Sequence, residues 1–190
     1  LFDQERKKEI PEHAARIGLV TGKSTAALQD MLRIFSNRYP LAEIFLFHAS
    51  VQGDNAPKEI IAGISRAERF SKEHTPLDIL IIGRGGGSYE DLFCFNDEAL
   101  VRKIAACPLP TISAVGHEID FTLADFAADR RAATPTHAAQ ESTPDIKAIK
   151  IEITSYKEYF EQRLLDLIKD LSQKLDFLWS QILTRAPHQR

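Results

Sequence analysis

Two glycine-rich turns carry the residues best suited to chemistry. The first reads Gly83-Arg84-Gly85-Gly86-Gly87-Ser88-Tyr89-Glu90-Asp91-Leu92 and directly follows an apolar run. Three consecutive glycines are costly in chain entropy, so they belong where the backbone must turn left-handed or let a ligand come close. Arg84 beside the N–H groups of Gly85, Gly86, Gly87 and Ser88 suits a phosphate oxyanion, which a guanidinium grips through paired donors. The bland alternative is a tight turn with a solvated arginine. The second turn reads Ser113-Ala114-Val115-Gly116-His117-Glu118-Ile119-Asp120. A His-x-x-Asp pair on the first turn of a helix shares one face. Asp120 would then orient the His117 imidazole and stabilise its cation, making His117 a general acid or base. A satisfied surface histidine is the competing reading.

Other segments bear on the same question. Gly22-Lys23-Ser24-Thr25 looks like a P-loop cut short. A true P-loop places five steps between its glycines, so that N–H groups wrap the phosphates. Here Gly18 stands four positions before Gly22, inside an apolar run. What remains is a helix N-terminus with Ser24 available to a phosphate. Arg130 and Arg131 lie on a segment leading out of the apolar region, placed either to meet a phosphate backbone or simply to be solvated. Asp30, beside Leu28 and Met31, reads by itself as a polar residue at the edge of an apolar face.

Composition narrows the classes. The 190 residues are 44% hydrophobic and 27% charged, which suits a folded domain and excludes wholesale disorder. The longest uncharged apolar runs, such as Ile17–Val20 and Ile79–Ile82, are too short to span a bilayer. Cys94 and Cys107 supply neither a disulfide framework nor a metal-ligand spacing, which suits a reducing cytoplasm. Net charge is −3, and all of it lies up to Pro135, where 16 basic face 19 acidic side chains. A stand-alone nucleic-acid binder carries a basic excess, so any such function here must be local or rest on further segments. The chain begins at Leu1, as expected of a piece of something longer.

The elements that must hold these turns alternate. Ile17–Thr21, Ile44–Phe47, Leu77–Ile82 and Thr111–Val115 are continuous apolar runs, as in strands buried on both faces. Helical spacing follows each: Leu28, Met31, Leu32 and Phe35; then Ile60, Ile61, Ile64 and Ala67 within 57–70; then 96–106; then 123–127. Asn96 stands as the expected N-cap of the third, with Asp97 and Glu98 in its first turn. The pattern predicts an α/β fold: an open, doubly wound, mostly parallel sheet with flanking helices. Ligands of such sheets sit at the carboxyl ends of the strands, where both glycine turns fall. Residues 1–15 read as a polar lead-in and 16–136 as the α/β domain. From 137 to 190 apolar residues recur at 146, 149, 153, 156, 160, 164, 167, 171, 175, 178 and 182, in steps of three and four. That stripe predicts the start of a long coiled-coil arm; a helix folded back on the sheet is the alternative.

Taken together, these segments resemble the exodeoxyribonuclease VII large-subunit family. The resemblance rests on Val51-Gln52-Gly53-Asp54-Asn55-Ala56, on Arg84 to Phe93 with Phe95-Asn96, and on Ser113 to Asp120. It continues through Asp125-Phe126-Ala127-Ala128-Asp129 and Ala133-Thr134-Pro135, over residues 1–145 without a break. It departs from the family pattern at Gly22-Lys23-Ser24-Thr25-Ala26, at Phe93 in place of a tryptophan, and at Ile119 in place of a threonine. The resemblance implies an enzyme that degrades single-stranded DNA processively from either end and releases 5′-phosphorylated oligonucleotides. It implies an N-terminal OB-fold outside this chain and an arm that binds many copies of a small helical subunit. It places the catalytic set on Asp30, Arg84, His117 and Asp120. No cofactor is required by that set. Mg²⁺ is compatible with Asp30 and Asp120, but no ligand spacing calls for it. A P-loop-like NTPase module and a non-catalytic flavodoxin-like scaffold remain the rival functions.

Overall fold

The computed structural model describes residues 1–85, 89–116 and 120–185. Five parallel strands form one sheet in the order β2-β1-β3-β4-β5: β1 Arg16–Thr21, β2 Glu43–His48, β3 Ile79–Gly83, β4 Thr111–Ala114 and β5 Arg130–Arg131. The helices are α1 Ala26–Arg38, α2 Ala56–Glu73, α3 Glu98–Ala105, α4 Leu123–Ala127, α5 Pro135–Glu141 and α6 Ile146–Arg185. The expected doubly wound α/β fold is present, and every strand is parallel. Strand order reverses between β1 and β3, and the edges that diverge there leave a crevice at the strands' carboxyl ends.

Alternate side chains of each strand serve opposite layers. Ile17, Leu19, Ile79, Ile81 and Ile112 pack with Leu28, Met31 and Phe35 of α1 and with Ala138 and Ala139 of α5. Val20, Leu80 and Ile82 pack with Ile60 and Ile64 of α2, Leu100 and Ile104 of α3, and Ala124 of α4. Burial on both faces is the reason β1, β3 and β4 read as unbroken apolar runs, whereas the Ile44–Phe47 run lies in edge strand β2, which has no buried residue and leaves Leu46 40% exposed.

Carboxylates tie the chain ends to this sheet. Asp129 accepts from the backbone N–H of Lys8 (2.9 Å) and from both the N–H and hydroxyl of Thr111 (2.7 and 2.8 Å). Asp78 accepts from the N–H groups of Ala15 and Arg16 (2.9 and 2.8 Å). The polar lead-in is therefore stitched to the domain, and its Ala14 is buried in the core. The N-cap of α3 is Asp97, which accepts from Leu100 N, and not Asn96. Asn96 is engaged elsewhere: its Oδ1 receives the N–H of Leu123 (2.7 Å) at the start of α4.

Contacts divide the chain into Leu1–Asp145 and Ile146–Arg190. Residues 137–145, grouped with the arm by sequence, include α5, whose buried alanines fit against α1. Taken by itself, α6 is a single 40-residue helix, about 60 Å long at 1.5 Å per residue. Its stripe is solvent-exposed, with Ile153, Phe160, Leu164, Leu171 and Leu175 each more than half accessible. No helix among the described residues is long and apolar enough to cross a membrane.

Cys107 makes the burial measurable. Desolvation pushes its thiol up to about 11, against about 8.5 in an unfolded chain. Above pH ~9 the unfolded chain therefore releases a proton that the folded chain keeps, and stability falls as pH rises toward 11. Between pH 8 and 10.5 the wild type should lose about 2 kcal/mol more stability than Cys107→Ala, by urea denaturation. Equal losses in the two proteins would mean the thiol is solvated.

Candidate active site

Arg84 is the first residue past β3. Its N–H donates to Ala114 O (3.0 Å), so the first glycine turn lies beside the second at the carboxyl edge of the sheet. The side chain is only 3% exposed. Its Nη2 donates to Asp91 Oδ2 at 2.7 Å, while Nη1 is buried with no hydrogen-bond partner among the described residues. Asp91 sits on a 3₁₀ helix, Tyr89–Asn96. A buried guanidinium with one donor edge held and the other unsatisfied is suited to an anion. Thr21, at the end of neighbouring β1, also has a buried hydroxyl without a partner. Both unpartnered groups lie at the point where strand order reverses.

The first two turns of α1 border the same edge. A Cβ on Gly85 would lie 3.5 Å from both the Cβ and N of Ala27, and one on Gly83 would lie 3.5 Å from Met31 Cε. Both distances are ordinary van der Waals contacts, so α1 packs against Gly83 and Gly85 without excluding a small side chain there. Among described residues the one glycine with positive φ is Gly53, at 83°; Gly86 and Gly87 lie outside the described residues, as does Ser88. Asp30 follows Ala27 by three positions, on the same stripe of α1, and is exposed. Ser24 is exposed in the loop before α1. Thr25 is occupied by capping: its hydroxyl accepts from Leu28 N and donates to Gly22 O.

His117 lies outside the described residues, so its geometry is not part of this description. Asp120 is half-buried, and it precedes α4 where the sequence suggested a first helical turn. The reason is the capping box that starts α4 at Thr122. Thr122 Oγ1 accepts from Asp125 N, and the Asp125 carboxylate accepts in return from Thr122 N (2.8 Å). Asp125, 3% exposed, also takes the Ser113 hydroxyl of β4 at 2.6 Å. It thus clamps both ends of the loop that bears His117 and Asp120. A Cβ on Gly116 would collide with the Asp120 carbonyl, so the glycine lets the loop close on itself. Arg131 Nη2 donates to that same carbonyl (3.3 Å). Arg130 is on the solvent side, with its Nε 3.5 Å from Glu141 of α5.

Beside the Arg84–Asp91 pair lies an open cleft of about 570 Å³ lined by Gly53, Asp54, Asp91, Phe93, Cys94 and Asp97. Burial pushes the Cys94 thiol up, and the Arg84 guanidinium partly opposes that shift. Its Sγ donates to Asp91 O at 3.2 Å. Among the described residues no cluster of three or more His, Cys, Asp or Glu side chains could hold a metal ion.

Sequence reasoning named Arg84 without its partner. Asp91 was visible in the Glu-Asp-Leu segment after the glycines, but nothing local says that it turns back onto Arg84. Asp125 did have a local signal, the Thr-x-x-Asp spacing of a capping box.

By class this is a doubly wound α/β domain, with a buried arginine at the switch point of its sheet. The chain belongs to the exonuclease VII large-subunit family, whose sequence model matches residues 1–190. It is similar to proteins named exodeoxyribonuclease 7 large subunit. The relative from Clostridium botulinum is 45% identical over 92% of this chain and 43% of its own length. The one from Syntrophomonas wolfei is 48% identical over 86% and 38%, and that from Streptococcus pyogenes serotype M5 is 44% identical over 98% and 41%. The chain thus spans about two fifths of the length of these relatives. Among solved structures, Francisella novicida lysine decarboxylase shows a TM-score of 0.36 at 14% identity, over 78% of this chain and 18% of that one. So loose a likeness carries no inference.

The Arg84–Asp91 pair yields a stability contrast. Removing Asp91 leaves a buried charge uncompensated, whereas replacing the arginine removes the charge itself. Asp91→Ala should cost about 3 kcal/mol by urea denaturation, and Arg84→Met should cost clearly less. The reverse order would mean that the guanidinium is solvated in the folded protein.

Proposed function

We propose that this chain is the catalytic segment of a nuclease that hydrolyses single-stranded DNA from either end to 5′-phosphorylated oligonucleotides. The observation that carries the reading is the unsatisfied Nη1 of buried Arg84 at the switch point of the sheet. A phosphodiester is the anion that fits a member of an exonuclease family.

In the proposed reaction, water attacks phosphorus and the P–O3′ bond breaks, leaving phosphate on the 5′ end of the released piece. Arg84 Nη1 and the N–H groups of the Gly85–Ser88 segment stabilise charge on the pentavalent phosphorus. His117 supplies a proton to the departing 3′ oxygen, and Asp120 sets its tautomer. Asp30, on the α1 side of the glycine turn, positions the water. Ser24 at the head of α1 and Arg130 on β5 hold flanking phosphates. The exposed stripe of α6 takes small helical subunits along its length, and an OB-fold supplies the basic groove that this acidic domain lacks. Metal-independent chemistry suits an Arg/His pair, and the place of action is the cytoplasm.

The test is digestion of an end-labelled single-stranded oligonucleotide, with its duplex as control. It uses the complete large subunit bearing this sequence, co-expressed with its small subunit, in EDTA and in Mg²⁺. Wild type should degrade only the single strand, in both buffers. Arg84→Ala should lose about 10²–10³-fold, the usual cost of removing one donor to a developing oxyanion, and His117→Ala about 10²–10⁴-fold. Cleavage only in Mg²⁺ would recast Asp30 and Asp120 as metal ligands. A folded wild-type complex that cleaves in neither buffer would overturn the nuclease reading.

A further inference from the structure

Next to Asp120, three phenylalanines stand partly in water. Phe121 is 57% exposed, Phe126 on α4 is 47% and Phe2 of the lead-in is 44%. They form one cluster. The rings of Phe121 and Phe126 are stacked at 5.9 Å with 23° between their planes, and Phe2 meets Phe126 edge-on at 6.1 Å. The Arg131 guanidinium lies over the Phe121 ring, with Cζ 3.9 Å from its centroid. That arginine is anchored in turn, because its Nη2 donates to the Asp120 carbonyl and its backbone belongs to β5. Phe121 is thus held in place by a cation on its face and a ring beside it, yet more than half of it is open to solvent.

A core phenylalanine would be buried, and a stray surface one would not be fixed from two sides. A ring that is both fixed and exposed is built to receive another flat π-system. The chemistry on offer, an aromatic surface with a guanidinium against it, matches a nucleobase, and every base has a face that will stack. Position adds to this: Phe121 is covalently next to Asp120, in the segment that follows β4, whose last residue Ala114 accepts the Arg84 N–H.

We propose that Phe121, braced by Arg131 and Phe126, is a base-stacking subsite for the nucleotide beside the scissile phosphate of single-stranded DNA. The inference rests on the nuclease reading above and adds a positioning role to it. The base that stacks here fixes its own phosphate relative to Arg84 and Asp120. Bases of a duplex are already stacked on each other, so the subsite also favours single strands. It has little sequence preference, because no base edge is read.

The test is a cycle on the complete large subunit with its small subunit. Wild type, Phe121→Leu and Phe121→Trp are each given a single-stranded oligonucleotide with normal bases and one with tandem abasic sites at its ends. KM and kcat are read from cleavage, and binding is read separately by fluorescence anisotropy. Leucine keeps apolar bulk without a ring, and tryptophan keeps the ring. On normal DNA, Phe121→Leu should weaken binding and raise KM about five- to a hundredfold, the usual range for losing one base–aromatic stack. Phe121→Trp should stay within about twofold of wild type. On abasic DNA, wild type should already be weak and Phe121→Leu no weaker. Equal losses on both substrates, or no loss on either, would overturn the subsite and leave the cluster as a packing surface for another polypeptide segment. If wild type binds DNA through Phe121 and its bases but does not cut it, the stacking subsite stands and the nuclease reading falls. If wild type neither cuts nor binds, both fall.

Discussion

A positive charge taken out of water at the end of β3 organises the rest of the site. Burying an isolated guanidinium is expensive, and it persists only where something compensates it. Asp91 compensates half of Arg84 through one donor edge, at 2.7 Å. The other edge is buried and unsatisfied. The 3₁₀ segment must fold back to bring Asp91 into place, and β4 must end beside the arginine so that Ala114 accepts its N–H. Each of these serves the same end: a cationic spot inside a domain whose net charge is negative.

That negative balance has a use. Asp78, Asp125 and Asp129 all spend their oxygens on backbone N–H groups or hydroxyls at loop ends, where a carboxylate replaces the partners that a strand or helix would provide. Asp125 is buried in this role and holds the loop of Asp120; Asp129 joins the lead-in to the sheet. The acidic residues do not repel a polyanion as free surface charge would, because several of them face inward. A single phosphate contact is then set by local geometry and not by the overall field.

The α6 helix obeys a different logic. Its apolar residues fall every three or four positions over 40 residues and stay exposed along the described helix. A stripe that narrow is a seam for another helix. The α/β unit, by contrast, buries its apolar residues on both faces of one sheet and exposes aromatic rings chiefly around Phe121.

Much of the fold was legible from sequence alone, because period and punctuation are local. Unbroken runs at 17–21 and 79–82 meant strands covered on both sides, helical spacing followed each, and the glycine turns fell at strand ends. Arg84 stood out because a guanidinium in a run of glycines has few other uses. Local signals failed where a partner comes from elsewhere in the chain. Asp97 and not Asn96 caps α3 because Asn96 is drawn to Leu123, and α5 left the arm because two alanines fit against α1. Asp30 reads in the sequence as an ordinary helix-edge residue, and the structure leaves it exposed on α1, whose Ala27 and Met31 pack against Gly85 and Gly83. The strand order that puts β1 next to β3, the return of Asp91 to Arg84, and the stacking of Phe121 between Arg131 and Phe126 were decided by tertiary structure alone. Composition and periodicity encode what a residue needs from its surroundings, whereas the group that meets the need is chosen only when distant segments pack together.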